Sequence, residues 1–396
     1  MIDSQLLWTG DLNKEAVAGR FSSSDRIAHF YDTTLRDGEQ TVGVVLAPED
    51  KLAIAKALDL LGVERIEAGF PRVSPEDAEA MKLIVESKLK ADIWGFCRAV
   101  LDDIDSVLEI GVRSSVIEAP VSDRKLDAYG LSREVITERV LKAISHAADN
   151  GVRVCFFGVD STRADMGFLE SIFKQALDAG AEEIAVVDTL GVATPEAVFL
   201  LINRVKQWVG PEVPLHWHGH NDFGLATAAA IAALDAGATW LHCTVNGMGE
   251  RAGNTNLSEV AMALESLYGV ETGLHLELMN ELATLVRQRS RYCLERWKPV
   301  IGEALFDRES GAVASQFHDP SSIEPYAPEI VGSKRRVVLG KKSGLDSIRI
   351  KLDDLGLQLD RSKWPDLLEQ VKQLGVQKRG LVEDEEFVVL VARLHD

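Results

Sequence analysis

The sequence predicts an α/β chain, a (β/α)8 barrel of the TIM type followed by a C-terminal mixed, mainly helical subdomain. From Ile27 onward, short apolar runs alternate with longer amphipathic stretches, the pattern of parallel strands joined by helices. Eight such strand and helix pairs fit into about 240 residues, the size of a closed barrel. After Leu267 the repeat stops and the texture becomes irregular. Residues 1–26 thus read as an N-terminal extension and 27–269 as the catalytic barrel. Residues 270–396 read as separate C-terminal subdomains.

The strand candidates centre on His29–Asp32, Arg65–Ala68, Ile93–Phe96, Ser115–Glu118, Arg153–Phe157, Ile184–Val187, Leu215–His218 and Trp240–Thr244. Between them lie helix candidates such as Pro48–Leu61, Pro75–Ser87, Arg133–Asp149, Met166–Ala179, Pro195–Trp208 and Phe223–Ala236. Several begin at a proline, whose missing N–H costs nothing in the first turn. Several end before a glycine, as at Leu61-Gly62 and Ala236-Gly237. Beyond the barrel, Met279–Glu295 has a helical pattern, Pro320–Gly332 and Arg335–Gly344 carry turn formers, and helices resume over Ser362–Gln373.

Charge narrows the possible partners. A formal net charge of −19 across 396 residues disfavours nucleic acid and anionic membrane surfaces, which leaves small molecules. No apolar run is long enough to span a bilayer and no secretory signal stands at the start, so a cytoplasmic location is expected. The four cysteines, Cys97, Cys155, Cys243 and Cys293, lack metal-type spacing and read as buried thiols.

Catalytic groups in such barrels sit where strands end and loops begin. Two runs occupy those places. Tyr31-Asp-Thr-Thr-Leu-Arg-Asp-Gly-Glu-Gln40 puts Arg36, Asp37 and Gly38 just after the first strand. Val213-Pro-Leu-His-Trp-His-Gly-His-Asn-Asp222 alternates His216, His218 and His220, which in an extended strand share one face at a spacing suited to a metal. Imidazole nitrogen with carboxylate oxygen suits a divalent ion such as zinc or manganese. Arg163 and Asp165 follow strand five, and Asp188 and Thr189 follow strand six. The run Asn246–Asn256 follows strand eight with three glycines, as a simple loop or a ligand cradle. Lys334, Arg335, Arg336, Lys341 and Lys342 form a basic patch, as a solvated face or a site for a phosphorylated ligand.

Four ordered motifs, Asp32-Thr-Thr-Leu-Arg-Asp-Gly-Glu-Gln40, His218-Gly-His-Asn-Asp-Phe-Gly-Leu-Ala226, Val245-Asn-Gly-Met-Gly-Glu-Arg-Ala-Gly-Asn254 and Gly340-Lys-Lys-Ser-Gly344, resemble the DRE-TIM metallolyase superfamily. Within it the likeness is greatest to homocitrate synthase and isopropylmalate synthase, over residues 27 to 345. The resemblance implies a metal-dependent acyltransferase that condenses acetyl-CoA with a 2-oxo acid. Asp37, His218 and His220 are then metal ligands and Asn254 a further contact at or near a divalent ion, with Zn, Mn, Mg and Co not distinguished. Arg36 would stabilise the developing alkoxide, Thr189 would meet the substrate carboxylate, and His216 would lie deeper than the ligands. Arg163 matches the arginine that implies a second acidic group on the oxo acid, because a guanidinium suits a carboxylate through paired hydrogen bonds. The resemblance also implies a homodimer in which residues 305 to 345 act on the partner's barrel.

The chain departs from that pattern at proton transfer. Val159 stands where the family has a glutamate, Val313 where it has a histidine and Ile323 where it has a tyrosine. Aliphatic side chains exchange no protons. Either His318, Arg308 or Glu309 has taken over, or the nucleophile arises by decarboxylation or carbon-carbon cleavage, which makes a lyase or aldolase the alternative. Against an acyl-CoA lyase, Asn246–Asn256 contains no cysteine; against a biotin-dependent carboxyltransferase, Val187 replaces the metal-binding lysine. A silent binding protein has little reason to keep Arg36, Asp37, His218 and His220 together. No leucine-sensing domain is expected after the appendage.

Overall fold

The computed structural model describes residues 2–21, 27–314 and 316–395. They form two compact units, one of Asp11–Leu294 and one that joins Ile2–Gly10 to the chain from Glu295 on.

The first unit is the barrel. Its strands are β1 (His29–Asp32), β2 (Arg65–Gly69), β3 (Asp92–Arg98), β4 (Ser114–Pro120), β5 (Arg153–Val159), β6 (Glu183–Asp188), β7 (Leu215–Gly219) and β8 (Trp240–Cys243). Each pairs in parallel with its neighbours, and β1 closes the circle on β8, with His29 opposite Trp240 and Asp32 opposite Cys243. The sheet has no free edge. Alternation along each strand sends every second side chain inward. Tyr31, Trp94, Phe96, Val116, Cys155, Phe157, Ala185 and Val187 make the inner core.

Helices cover the outside, and their ends follow the local chemistry. Pro48–Leu61 opens on its proline and stops at Gly62, which takes φ 98°. Ser74, Asp165 and Thr194 each accept a hydrogen bond from a first-turn N–H of the helices Pro75–Glu86, Met166–Asp178 and Pro195–Val209. Leu101–Ile110 and Asp123–Tyr129 are helices that the periodicity did not pick out.

The second unit contains a two-stranded parallel ribbon, β9 (Asp307–Arg308) and β10 (Arg336–Val337), and the helices Leu345–Asp354, Trp364–Lys378 and Asp384–His395. Val337, Leu339, Ile348, Leu367, Val371 and Phe387 form its core. This is the mixed, mainly helical region that the sequence predicts. Cys97, Cys155 and Cys243 are buried, but Cys293 is exposed, against the expectation for all four. Among the described residues no helix is long and apolar enough to cross a membrane.

Candidate active site

The loop after β1 folds back at once. Thr34 donates to Asp32 through its N–H at 2.9 Å and its hydroxyl at 3.0 Å, and the N–H groups of Arg36 and Gly38 both reach the Thr33 carbonyl. Burial raises the Asp32 carboxyl to about 7, against the lowering effect of the Thr34 bonds. The turn delivers Asp37 into the mouth of the barrel, where it is 2% exposed.

There Asp37 meets β7. Its Oδ2 lies 3.2 Å from His218 Nε2 and 3.7 Å from His220 Nε2, and the two ring nitrogens are 3.4 Å apart. The three donor atoms converge within 4.8 Å. Asn254 joins them through an isolated bridge to His220, and its Nδ2 donates to Asp37 Oδ2 at 3.0 Å. Its Oδ1 is buried and without a partner among the described residues, as is His220 Nδ1. Burial works against the ionised Asp37 carboxylate, but Arg36 and the two imidazoles outweigh it and hold the group well below the usual range. Burial, with His218 nearby, lowers His220 to about 4. An anionic carboxylate, a neutral imidazole and an unsatisfied amide oxygen in one buried place fit a divalent cation.

Beneath the cluster runs a file of histidines that fixes the tautomer of His218. Arg65 donates to Glu183 at 2.6 and 3.0 Å, which keeps the carboxylate an acceptor, so His216 Nε2 must donate to it. His216 Nδ1 then accepts from His242 Nε2 at 2.9 Å, and His242 Nδ1 accepts from His218 Nδ1 at 3.3 Å. That leaves the His218 Nε2 lone pair facing Asp37 and His220. Tyr31 stacks on His242 at 4.1 Å and 10°, which holds the middle ring flat. His216 is thus one layer below the cluster and touches none of its three donors.

Arg36 stands at the other side of Asp37. Its Nε donates to Glu67 at 2.5 Å, its Nη1 to Gln40 at 3.3 Å, and its guanidinium lies 4.0 Å over Phe96. Glu67 also accepts from the Tyr31 hydroxyl at 2.9 Å. Arg36 Nη2 is buried with no hydrogen-bond partner among the described residues.

Thr189 and Arg163 stand at neighbouring strand ends. The Thr189 hydroxyl oxygen accepts from the Asp160 N–H at 2.8 Å, which leaves its proton to donate. Arg163 was expected to grip a distal carboxylate, but its Nε and Nη2 are closed on Asp160 at 2.8 and 2.7 Å. Asp160 takes φ 68°, and the Ser122 hydroxyl donates to it at 2.5 Å. The parallel N–H pair that would hold a ligand is engaged within the chain. In the second unit, Glu309 accepts from the Lys342 N–H at 2.9 Å and so anchors the Gly340–Gly344 loop. Arg308 Nη1 donates to the carbonyls of Leu305 and Asp307, and His318 is exposed. Of the basic patch, Arg335 is closed on Glu324 and Arg336 on Asp307.

The glycine run after β8 shapes the site rather than forming an open cradle. Asn254 N–H reaches the Gly247 carbonyl, and Asn221 N–H reaches that of Gly253. A Cβ on Gly253, at φ 85°, would lie 1.9 Å from the Gly247 oxygen, and one on Gly249 would lie 2.3 Å from Asn254 Nδ2. Sequence reasoning missed Glu67 and His242, each alone on its strand. The only available signal was their inward register beside the motif residues.

Fold and site together define the class: the chain is a DRE-TIM metallolyase, a closed (β/α)8 barrel with an aspartate and two histidines at its mouth. Residues 28–286 match the HMGL-like family model, and residues 300–379 match the one described as homocitrate synthase post-HMGL domain-like. The chain is 38% identical over 381 residues to homocitrate synthase AksA of Methanothermobacter thermautotrophicus, which covers 96% of each chain. It is 41% identical over 376 residues to 2-isopropylmalate synthase of Methanocaldococcus jannaschii, covering 92% of this chain and 71% of the relative. Its barrel also resembles the solved hydroxymethylglutaryl-CoA lyase from Pseudomonas aeruginosa, with TM-score 0.61 at 22% identity, over 67% of this chain and 93% of that one. This protein belongs to the HMGL-like family and carries, after its barrel, the domain found in homocitrate synthases.

Proposed function

We propose that this chain is a condensing synthase that joins the methyl carbon of acetyl-CoA to the keto carbon of a 2-oxo acid. The observation that carries this is the buried convergence of Asp37, His218 and His220, with Asn254 and Arg36 beside them, in a chain similar over most of its length to proteins named as synthases. Asp37, His218 and His220 would hold a divalent ion, with Asn254 at its edge; when bound, that ion polarises the keto group. Arg36 offers its unpartnered Nη2 to the oxygen that gains charge as the carbon-carbon bond forms. Thr189 offers its hydroxyl proton to the substrate carboxylate.

The tail of the oxo acid meets aliphatic and aromatic walls. Phe157 packs against His218 at 5.1 Å, Phe96 lies under Arg36, and Val159 borders the same inner core. With Arg163 engaged by Asp160, these walls support a small or apolar tail in place of the second acidic group that the sequence led us to expect. Val159 at the place of the family glutamate also favours a second reading, carbon-carbon cleavage or decarboxylative condensation on the same scaffold.

The test is a panel of 2-oxo acids, short, branched and dicarboxylic, each with acetyl-CoA and a divalent metal. Free thiol release and product mass are followed. Thiol release with short or branched acids is expected. A preference for the dicarboxylic acid would overturn the tail assignment. No release with any acceptor, together with cleavage of a hydroxy or oxo diacid, would overturn the synthase reading. Asp37→Ala should lose the metal, read directly by elemental analysis.

A further inference from the structure

The condensing reaction requires a base for the acyl methyl, and at the three positions where the family resemblance implies proton-transfer residues this chain has Val159, Val313 and Ile323. Resting on the condensing reading, we propose that Glu118 on β4 takes that proton.

Position comes first. Val116 belongs to the inner core, and Glu118, two residues on, faces the same way. Its register partners are Arg98 on β3 and Phe157 on β5, the ring that packs against the candidate metal ligand His218. Glu118 is half-buried and thus reachable from the lumen. Across the lumen, Arg36 and Asp37 come from the loop after β1, Glu67 from β2 and Arg98 from β3; these are the charged groups whose fields it feels.

Its neighbours at the mouth are already engaged. Glu67 accepts from Tyr31 and Arg36, Asp160 from Ser122 and Arg163, and Asp188 from Thr162 and the N–H groups of Val192 and Ala193. The Glu118 side chain has no hydrogen-bond or ion-pair partner among the described residues, and Arg36 and Arg98 favour its charge only through space. Burial raises it to about 7; Arg36 opposes this, while Glu67 and Asp37 add to it. A base poised near neutral pH combines a useful ionised fraction with adequate basicity.

In the step itself the methyl C–H bond breaks and its proton passes to Glu118. The released electron pair forms the bond to the keto carbon, and the carbonyl π pair moves onto the keto oxygen beside Arg36. Glu118 returns its proton to the resulting alkoxide; water then attacks the thioester carbonyl, the C–S bond breaks, one water proton passes to the sulfur, and coenzyme A leaves as the thiol.

The test uses the full chain loaded with metal, with Glu118→Gln and Glu118→Asp compared against the parent. Glu118→Gln should lower kcat for thiol release by about 10²- to 10⁴-fold, with metal content and oxo-acid KM held within about threefold, and Glu118→Asp should recover part of the loss. With trideuteroacetyl-CoA, the isotope effect on thiol release should rise in Glu118→Gln, because proton removal becomes limiting. Loss of rate accompanied by loss of metal or folding, with no rise in the isotope effect, would mark Glu118 as structural and overturn the assignment. If the parent turns over and Glu118→Gln keeps a third or more of its kcat, the Glu118 assignment alone fails. If the parent releases no thiol with any acceptor, the condensing reading fails and takes this one with it.

Discussion

Replacing His242 by phenylalanine should weaken metal binding although His242 is not among the proposed ligands. The flat ring and its stack on Tyr31, 4.1 Å away, are kept, while both ring nitrogens are lost. His216 Nδ1 then loses a donor at 2.9 Å, and His218 Nδ1 an acceptor at 3.3 Å, both in places closed to water. Each buried polar group left unsatisfied costs about 1–3 kcal/mol, so with two of them the fold should lose about 2–6 kcal/mol. His218 is also freed to take the tautomer that turns a proton, not a lone pair, toward Asp37. Loss of such an outer hydrogen bond typically costs about 10- to 100-fold in metal affinity, or about 1.4–2.8 kcal/mol. Chelator competition gives the affinity, and circular dichroism with urea unfolding separates it from loss of fold. A folded His242→Phe protein that binds metal as tightly as the parent would refute the tautomer argument.

The buried group at the base of the same file should show itself in the acid range. Burial opposes ionisation of Glu183, but His216 and Arg65 outweigh it and lower its carboxyl from 4.5 to about 2. With the folded value below the unfolded one, the stabilisation is complete above pH 4.5 and is lost as pH falls toward about 2, amounting to about 3 kcal/mol. Urea unfolding across that window should show the loss in the parent and its absence in Glu183→Gln; parallel curves would count against it. At the mouth, Gly249→Ala would set a Cβ 2.3 Å from Asn254 Nδ2 at a backbone φ of 154°. Metal affinity in that variant should fall about tenfold, read by the same chelator titration, and an unchanged value would mean that Asn254 has no part in the site.

Much of the barrel was legible because strands buried on both faces run apolar, and prolines and glycines bracket the helices between them. Leu101–Ile110 escaped because Val100 before it offers no capping side chain, and Leu345–Asp354 because it follows a turn-rich, basic stretch. Asp37, His218 and His220 were legible because their neighbours in sequence are also their neighbours in space. Glu118 and His242 were not, since each is a single residue whose direction is set by register across strands. Arg163 shows the reverse limit. Its residue type suits an anion, but a left-handed backbone at Asp160, three residues earlier, supplies that anion from within.

That clasp has a kinetic and selective side. A ligand carboxylate approaching Arg163 competes with one tethered three residues away, whose effective concentration is on the order of millimolar or above. An acidic metabolite would have to displace it before gaining anything from the guanidinium. Under the proposed condensing activity, the clasp would act as a filter that raises the threshold for diacids while leaving monoacids unaffected. Asp160→Asn, by opening the clasp, is the simplest route by which this barrel would broaden its choice of acceptor.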